Sequence, residues 1–274
     1  MGIIGPSINH LPLSFALDTG QTDSEAYKMI SFSSGWEVQE ALIAGKIDAA
    51  IIPFSYAWNA AARGYPVKIV SFLERESDAI VSSSSVIDLK DLHTRKIGLL
   101  KASTVELLMI DLAESAGIDF SPVYFRTPNE LVAALQARQV DAIVAYVPVI
   151  QQITGDFHVL HWFGESHPQH PCCDIAVNQK QLNPAKTLIL KQLIETMHCV
   201  LPDIDAHDPQ LLGFAKDTFR LNDMQVAEAL NHTKFRTGLD EEGKALQRRL
   251  MTIAVRKGYQ KTMIGDDSIY LELP

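Results

Sequence analysis

The chain has 274 residues, 47% hydrophobic and 21% charged, with 24 Lys and Arg against 33 Asp and Glu for a net charge of −9. Such a chain can bury a full core, which excludes a disordered protein and a disulfide-stapled miniprotein, and its length favours two domains or one large one. The sequence shows no basic stripe of the kind a nucleic-acid binder carries, and no apolar run long enough to span a membrane.

The opening residues Met1-Gly2-Ile3-Ile4-Gly5 lack the charged and apolar segments of a secretory signal, which fits a cytosolic chain or a mature form with an added methionine. A strand is predicted at about 2–6, another at about 28–33 and a third at about 48–53. Helices join them, the second with Val38, Ala41 and Leu42 on one face. An apolar strand follows at Lys68–Phe72 and Ala79–Val81, then Ser82-Ser83-Ser84-Ser85, a polar stretch that reads as a crossover. Further strands are predicted at about 96–100, 122–126 and 141–146, with Leu131, Ala134 and Leu135 on a helix face between the last two. His167-Pro168-Gln169-His170-Pro171-Cys172-Cys173 reads as the return crossover, before a strand at Asp174–Val177. The remainder is mostly helical. Asn183-Pro184 starts a helix to about Val200, Asn222 caps one to about Asn231, and Asp240 caps one through Gly258 with Glu241 and Glu242 in its first turn.

An internal repeat organises the first half. Residues 37–52, EVQEALIAGKIDAAII, align with residues 130–145, ELVAALQARQVDAIVA, at an offset of 93 with six identities in sixteen positions. Chance gives roughly one, and such self-similarity marks repeated structural units. The offset also aligns Ile3-Ile4-Gly5 with Lys96-Ile97-Gly98, and Ile30-Ser31-Phe32 with Val123-Tyr124-Phe125. Each copy reads strand, helix, strand, helix, strand. Short apolar terminal strands, DAAII and DAIVA, are those of a parallel sheet buried on both faces, so the fold class is α/β. Ligands of such sheets bind outside the carboxyl ends of the strands, and two facing copies place two such edges on one cleft.

That rule selects the candidate site. After the first strand come Asn9 and His10, whose image in the second copy is Lys101, Ser103 and Thr104 at a helix start. Exposed N–H groups there attract anions, while Ser103 or Thr104 would also serve as a plain cap. Next come Ser33, Ser34 and Trp36, with Arg126 as the image; Arg126 suits an anion through paired hydrogen bonds or else pairs with Glu130. The third pair of strand ends carries Phe54, Ser55 and Tyr56, with Tyr146 opposite, which suits a flat or partly apolar ligand. His170 and Cys172 complete the set. Of nine histidines none forms an H-E-x-x-H helix, and the three cysteines, Cys172, Cys173 and Cys199, form no CxxC pair, so no metal and no cofactor are expected.

The segments SINHLPLSFALDTG, SSGWEVQEALIAGKIDAAII and ARGYPVKIV, then IDLKDLHTRKIGLLKASTVELLM, ELVAALQARQVDAIVAYVPVI and HPCCDIAV, resemble in order and spacing the substrate-binding proteins of ABC importers. The closest branch is the nitrate, sulfonate, bicarbonate and thiamine-precursor group, the NMT1/THI5-like proteins. The resemblance covers most of the chain and is weakest in the tail. It departs from the family at Asp18–Glu25, where members carry a longer stretch. The resemblance implies a type II periplasmic-binding-protein fold of two lobes, each with a mainly parallel sheet flanked by helices. Lobe one would be residues 1–83 and 174–274, and lobe two residues 84–173. It further implies a monomer that captures a small anionic or aromatic solute and hands it to the membrane component of an importer, in the periplasm or at the cell surface. Two alternatives share the fold: an enzyme of the menaquinone-pathway chorismate dehydratase or dihydroxynaphthoate-forming type, and a cytosolic solute sensor. For an enzyme the acid–base candidates are Glu37, Glu106, His10 and His170.

Overall fold

The computed structural model describes residues 1–5, 7–22, 27–204 and 208–274. Asp23, Ser24 and Glu25 of the short Asp18–Glu25 segment lie outside them. In chain order the strands are β1 (Gly2–Ile4), β2 (Ile30–Phe32), β3 (Ala49–Pro53), β4 (Val67–Phe72), β5 (Glu74–Glu76), β6 (Asp78–Ser83), β7 (Lys96–Leu100), β8 (Ser121–Phe125), β9 (Ala142–Tyr146), β10 (Phe157–Trp162), β11 (Cys173–Asn178) and β12 (Thr233–Phe235). The helices are α1 (Leu11–Asp18), α2 (Gly35–Ile43), α3 (Phe54–Ala62), α4 (Thr104–Ala116), α5 (Pro128–Gln136), α6 (Phe163–Ser166), α7 (Pro184–Val200), α8 (Pro209–Phe219), α9 (Asp223–Asn231), α10 (Glu241–Arg256) and α11 (Asp266–Ile269).

Two five-stranded sheets share one plan. The first runs β2-β1-β3-β11-β4, and the second, read in the same sense, runs β8-β7-β9-β6-β10. In each, three strands pair in parallel and the fourth runs against both its neighbours. That fourth strand, β6 or β11, is the one by which the chain enters the sheet from the other lobe. The offset of 93 holds to the residue: α2 spans 35–43 and α5 spans 128–136, while β3 spans 49–53 and β9 spans 142–146. The caps repeat as well. Ser34 accepts from the Glu37 N–H and Thr127 from the Glu130 N–H, both at 3.3 Å. Each glutamate reaches back to the residue ahead of its cap, Glu37 to the Ser33 N–H at 3.0 Å and Glu130 to the Arg126 N–H at 2.8 Å.

Alternation along each strand fills two layers. In the first sheet Ile4, Ala50 and Ile52 face Val38, Leu42, Ala57 and Trp58, while Ile3, Ala49 and Ile51 pack with Leu13, Leu190, Leu193 and Met197. In the second, Ile97, Leu99, Ala142 and Val144 pack with Leu107 and Leu108 of α4, and Ile143 and Ala145 with Leu131, Ala134 and Leu135 of α5. The inner strands β3 and β9 are covered on both faces, which is why they read as unbroken apolar runs, while the edge strands β2 and β8 are partly exposed.

The structure relocates some expected elements. Ser82 and Ser83 belong to β6 rather than to a crossover, and both are buried. The passage between sheets is instead Glu74–Ser77, where β5 pairs with β12 and where Glu76 and Ser77 take φ of 61° and 77°. The aromatic run after Pro53 opens a helix, α3, instead of ending a strand. Helices α7, α9 and α10 start after the Asn183, Asn222 and Asp240 caps read from the sequence.

Candidate functional site

The repeat aims the two sheets at each other. Ile4 ends β1, Pro53 ends β3, Leu100 ends β7 and Tyr146 ends β9, and all four line one cavity. Because β6 and β11 run the other way, their first residues reach the same place, and Asp78, Cys172 and Cys173 join the lining. The cavity is a narrow slot whose empty volume, counted out to its mouth, is about 500 Å³.

Helix starts border it from both lobes. Ser34 caps α2, and Ser103 caps α4 by accepting from the Glu106 N–H at 3.4 Å. Gly35, Thr104 and Val105, the first helical residues, line the cavity, where their N–H ends favour acceptor atoms of a ligand. Gly35 is required by packing: a Cβ there would lie 2.7 Å from the Tyr56 ring. The Tyr56 hydroxyl in turn donates across the cleft to the Lys101 carbonyl at 3.4 Å. Arg126 lines the cavity as an exposed residue, and its guanidinium makes no ion pair among the described residues; Glu130 binds its main-chain N–H instead.

Under the slot lies a buried polar cluster. The His170 ring meets Asp78 Oδ2 through Nε2 at 3.0 Å and the His167 carbonyl through Nδ1 at 2.9 Å. The Cys172 thiol donates to Asp78 Oδ1 at 3.7 Å, and the Asn9 amide donates to Cys173 Sγ at 3.3 Å. Burial raises the Asp78 carboxyl above the usual range, against the opposing pull of His170. Burial, aided by the charge of Asp78, pushes Glu74 up to about 8. The Cys172 thiol is raised by its bond with Cys173 and by burial, and burial pushes Cys173 up to about 12. Both thiols therefore keep their protons at neutral pH, and a thiolate nucleophile is not formed here. Burial likewise holds the Tyr56 and Tyr146 phenols protonated.

Seven of the fifteen candidate residues line the cavity: Ser34, Tyr56, Ser103, Thr104, Arg126, Tyr146 and Cys172. The other eight sit elsewhere for identifiable reasons. Asn9 and His170 lie just behind the wall, holding Cys173 and Asp78. His10 packs 5.6 Å from the Phe219 ring, and burial lowers its pKa to about 4, so it is a neutral core residue. Ser33 is tied by its hydroxyl to Glu37 at 2.7 Å. Phe54 and Ser55 are buried in α3, and Lys101 turns outward with its ammonium 5.5 Å from the Tyr124 ring. Trp36 is 51% exposed and outside the lining.

The acid–base candidates are mostly occupied. Glu106 accepts from the Tyr259 and Tyr124 hydroxyls at 2.6 and 2.7 Å on one oxygen, and from the Ala102 N–H at 2.5 Å on the other. Glu37 holds the start of α2. Among the described residues, one group has donor atoms close enough to share a metal ion. It comprises Glu74, Cys172 and Cys173, all buried and within 4.8 Å of one another, and neither CxxC spacing nor a histidine pair announces it. Nine lining residues are not among the candidates: Ile4, Ser7, Gly35, Pro53, Asp78, Leu100, Val105, Pro128 and Cys173. The strand-end rule selects Ile4, Pro53 and Leu100 once boundaries are known. Asp78 carries no signal beyond a carboxylate beside an apolar strand.

Two lobes with matched sheets closing on one cavity define a periplasmic-binding-protein fold, of type II by its strand order. Residues 37–161 match the family model described as NMT1/THI5 like, which is the group that the sequence resembles. No curated protein matches the chain. Among solved structures, an alkanesulfonate-binding protein SsuA from Xanthomonas axonopodis pv. citri, bound to MOPS, superposes with a TM-score of 0.85 at 17% identity, covering 98% of this chain and 96% of that one. A ligand-binding component of an ABC-type import system from Staphylococcus aureus, with zinc bound, gives 0.84 at 17% identity, covering 99% and 95%. The periplasmic aliphatic sulphonate binding protein SsuA from Escherichia coli gives 0.75 at 19% identity, covering 100% and 91%. At such identities the likeness establishes the shared fold. No helix among the described residues is long and apolar enough to cross a membrane.

Proposed function

We propose that the chain is a solute-binding protein that captures a small molecule between its lobes and passes it to the membrane component of an ABC importer. One observation carries this reading: the strand ends and helix starts of both sheets converge on one cavity. Lobe one holds the first sheet, lobe two holds the second sheet, and the Glu74–Ser77 passage lies between them. The solute enters an open form, and closure about the crossing segments buries it. Such a protein acts outside the cytoplasmic membrane as a monomer. The solved relatives whose names include import or sulfonate binding support the reading, as do the structural hydrogen bonds that hold Glu37 and Glu106, two of the four acid–base candidates.

Native mass spectrometry of the freshly purified protein tests it, followed by calorimetric titration with a solute panel that includes sulfonates. The expected result is one solute per chain, recovered chemically unchanged on unfolding. Turnover of the bound compound, or no solute found by either the panel or native mass spectrometry, overturns the reading.

A further inference from the structure

The floor of the cavity is an acid–imidazole pair built from both crossing segments. Asp78 opens β6 and His170 precedes β11, and they are 0% and 2% exposed. The His167 carbonyl can only accept, so the His170 Nδ1 facing it at 2.9 Å carries a proton. Nε2 then faces Asp78 Oδ2 at 3.0 Å, and a bond at that distance requires one proton between two atoms that would otherwise set lone pair against lone pair. Whether that proton sits on oxygen or nitrogen, the pair is neutral as a whole. In either case the second carboxyl oxygen, Oδ1, is left as an acceptor.

Oδ1 is poorly served. Its partner among the described residues is the Cys172 thiol at 3.7 Å, a weak donor. Asp78 and Cys172 both line the cavity but are only 0% and 5% exposed, so a solute donor reaches this oxygen by taking the place of the thiol. A solute N–H replaces a weak bond with a strong one. An acceptor-only group, such as the oxygens of nitrate or a sulfonate, sets oxygen against oxygen and leaves both unpaired, which is costly in a buried site. Arg126 and the starts of α2 and α4 supply the donors elsewhere on the lining, so acceptors of the solute are served there.

We propose that Asp78 is a solute-recognition residue that accepts a hydrogen bond from an N–H group of the solute, with His170 as its positioning residue. The proposal rests on the solute-binding reading and adds to it the chemistry of the solute's inner end: an N–H donor rather than an anion. Truncating Asp78 therefore removes a preference for N–H, and an amide in its place keeps it. In Asp78→Asn the amide N–H can donate to Nε2 while its carbonyl still faces the slot.

The test uses three pairs of probes that differ by an amino group against a methyl: 2-aminoethanesulfonate and 1-propanesulfonate, 4-aminobenzoate and 4-methylbenzoate, nicotinamide and 3-acetylpyridine. Titration calorimetry on the wild type is expected to show the amino member of at least one pair binding about tenfold or more tightly, and no pair reversed. Asp78→Asn keeps the ratio and Asp78→Leu abolishes it. His170→Phe shrinks the ratio severalfold and His170→Gln restores it, which a merely structural role would not do. If Asp78→Leu fails to fold, the wild-type and Asp78→Asn ratios still decide. Equal or reversed binding in the pairs overturns the proposal, as does binding of none of the six probes or loss of the ratio in Asp78→Asn. The solute-binding reading itself falls only if the wider panel and native mass spectrometry also find no solute.

Discussion

The two copies of the repeat and the two segments that cross between them contribute different things to one cavity. The copies agree in α2 and α5, in β3 and β9 and in the glutamates behind their caps, and they supply the walls. They differ in what those walls carry. Copy one gives Ser7, Ser34 and Tyr56, none of them charged at neutral pH, and copy two gives Ser103, Thr104, Tyr146 and the cation Arg126. The crossing segments follow neither copy, and they bring the acid and the thiols: Asp78, Cys172 and Cys173. Duplication thus builds a symmetric frame, on which copy two adds a cation while the acid and the thiols enter through the parts that were not duplicated.

The largest expected effect tests the symmetry of the frame. Leu42 and Leu135 are equivalent at the offset of 93, and both are fully buried. Leu42→Ala and Leu135→Ala should each cost roughly 2–5 kcal/mol in urea unfolding, and similarly to one another. A cost confined to one site would show that the copies are not equivalent in packing.

The second concerns the crossing segments. Glu74 is buried with neither carboxyl oxygen in a well-formed hydrogen bond among the described residues, and burial raises its pKa from 4.5 to about 8. Between those values the folded chain holds a proton that the unfolded chain has released, so stability falls as pH rises from about 4.5 to 8. Asp78 and Asp174, the latter raised to about 6 by burial, act in the same direction. Glu74→Gln should gain about 1–3 kcal/mol at pH 8 and nothing near pH 4, leaving a shallower slope from the two aspartates. Urea titrations across that range check it, and an unchanged slope would refute it.

The third separates the walls by charge. Arg126→Ala should weaken binding of the solute found by native mass spectrometry about tenfold, with unchanged thermal stability because the residue is exposed and its guanidinium makes no ion pair among the described residues. An unaltered affinity would leave the difference between the copies without function.

The smallest effect separates equivalent caps. Ser34 lines the cavity and Thr127 does not. Ser34→Ala and Thr127→Ala should each lose about 1 kcal/mol of stability. Calorimetry should show weakened solute binding for Ser34→Ala alone, and equal binding losses would place the cavity wrongly.

The order of elements in the repeat, the helix faces at Val38 and Leu131 and the caps at Asn183, Asn222 and Asp240 could be read from the sequence, because each depends on neighbours a few residues away. So could the strand-end rule that found Ser34, Ser103, Arg126 and Tyr146, since position in a repeat is a local property. His10 and Phe54 occupy the right stretch of chain and still face the core, because a single turn of helix decides which side chains point inward. Asp78 and His170 are 92 residues apart, and Glu74 reaches the cysteines from the other crossing strand. No period or motif encodes those pairings. They exist only once two antiparallel strands have entered opposite sheets and brought their first residues to one cavity floor, where burial holds protons on Glu74, Asp78 and Cys173.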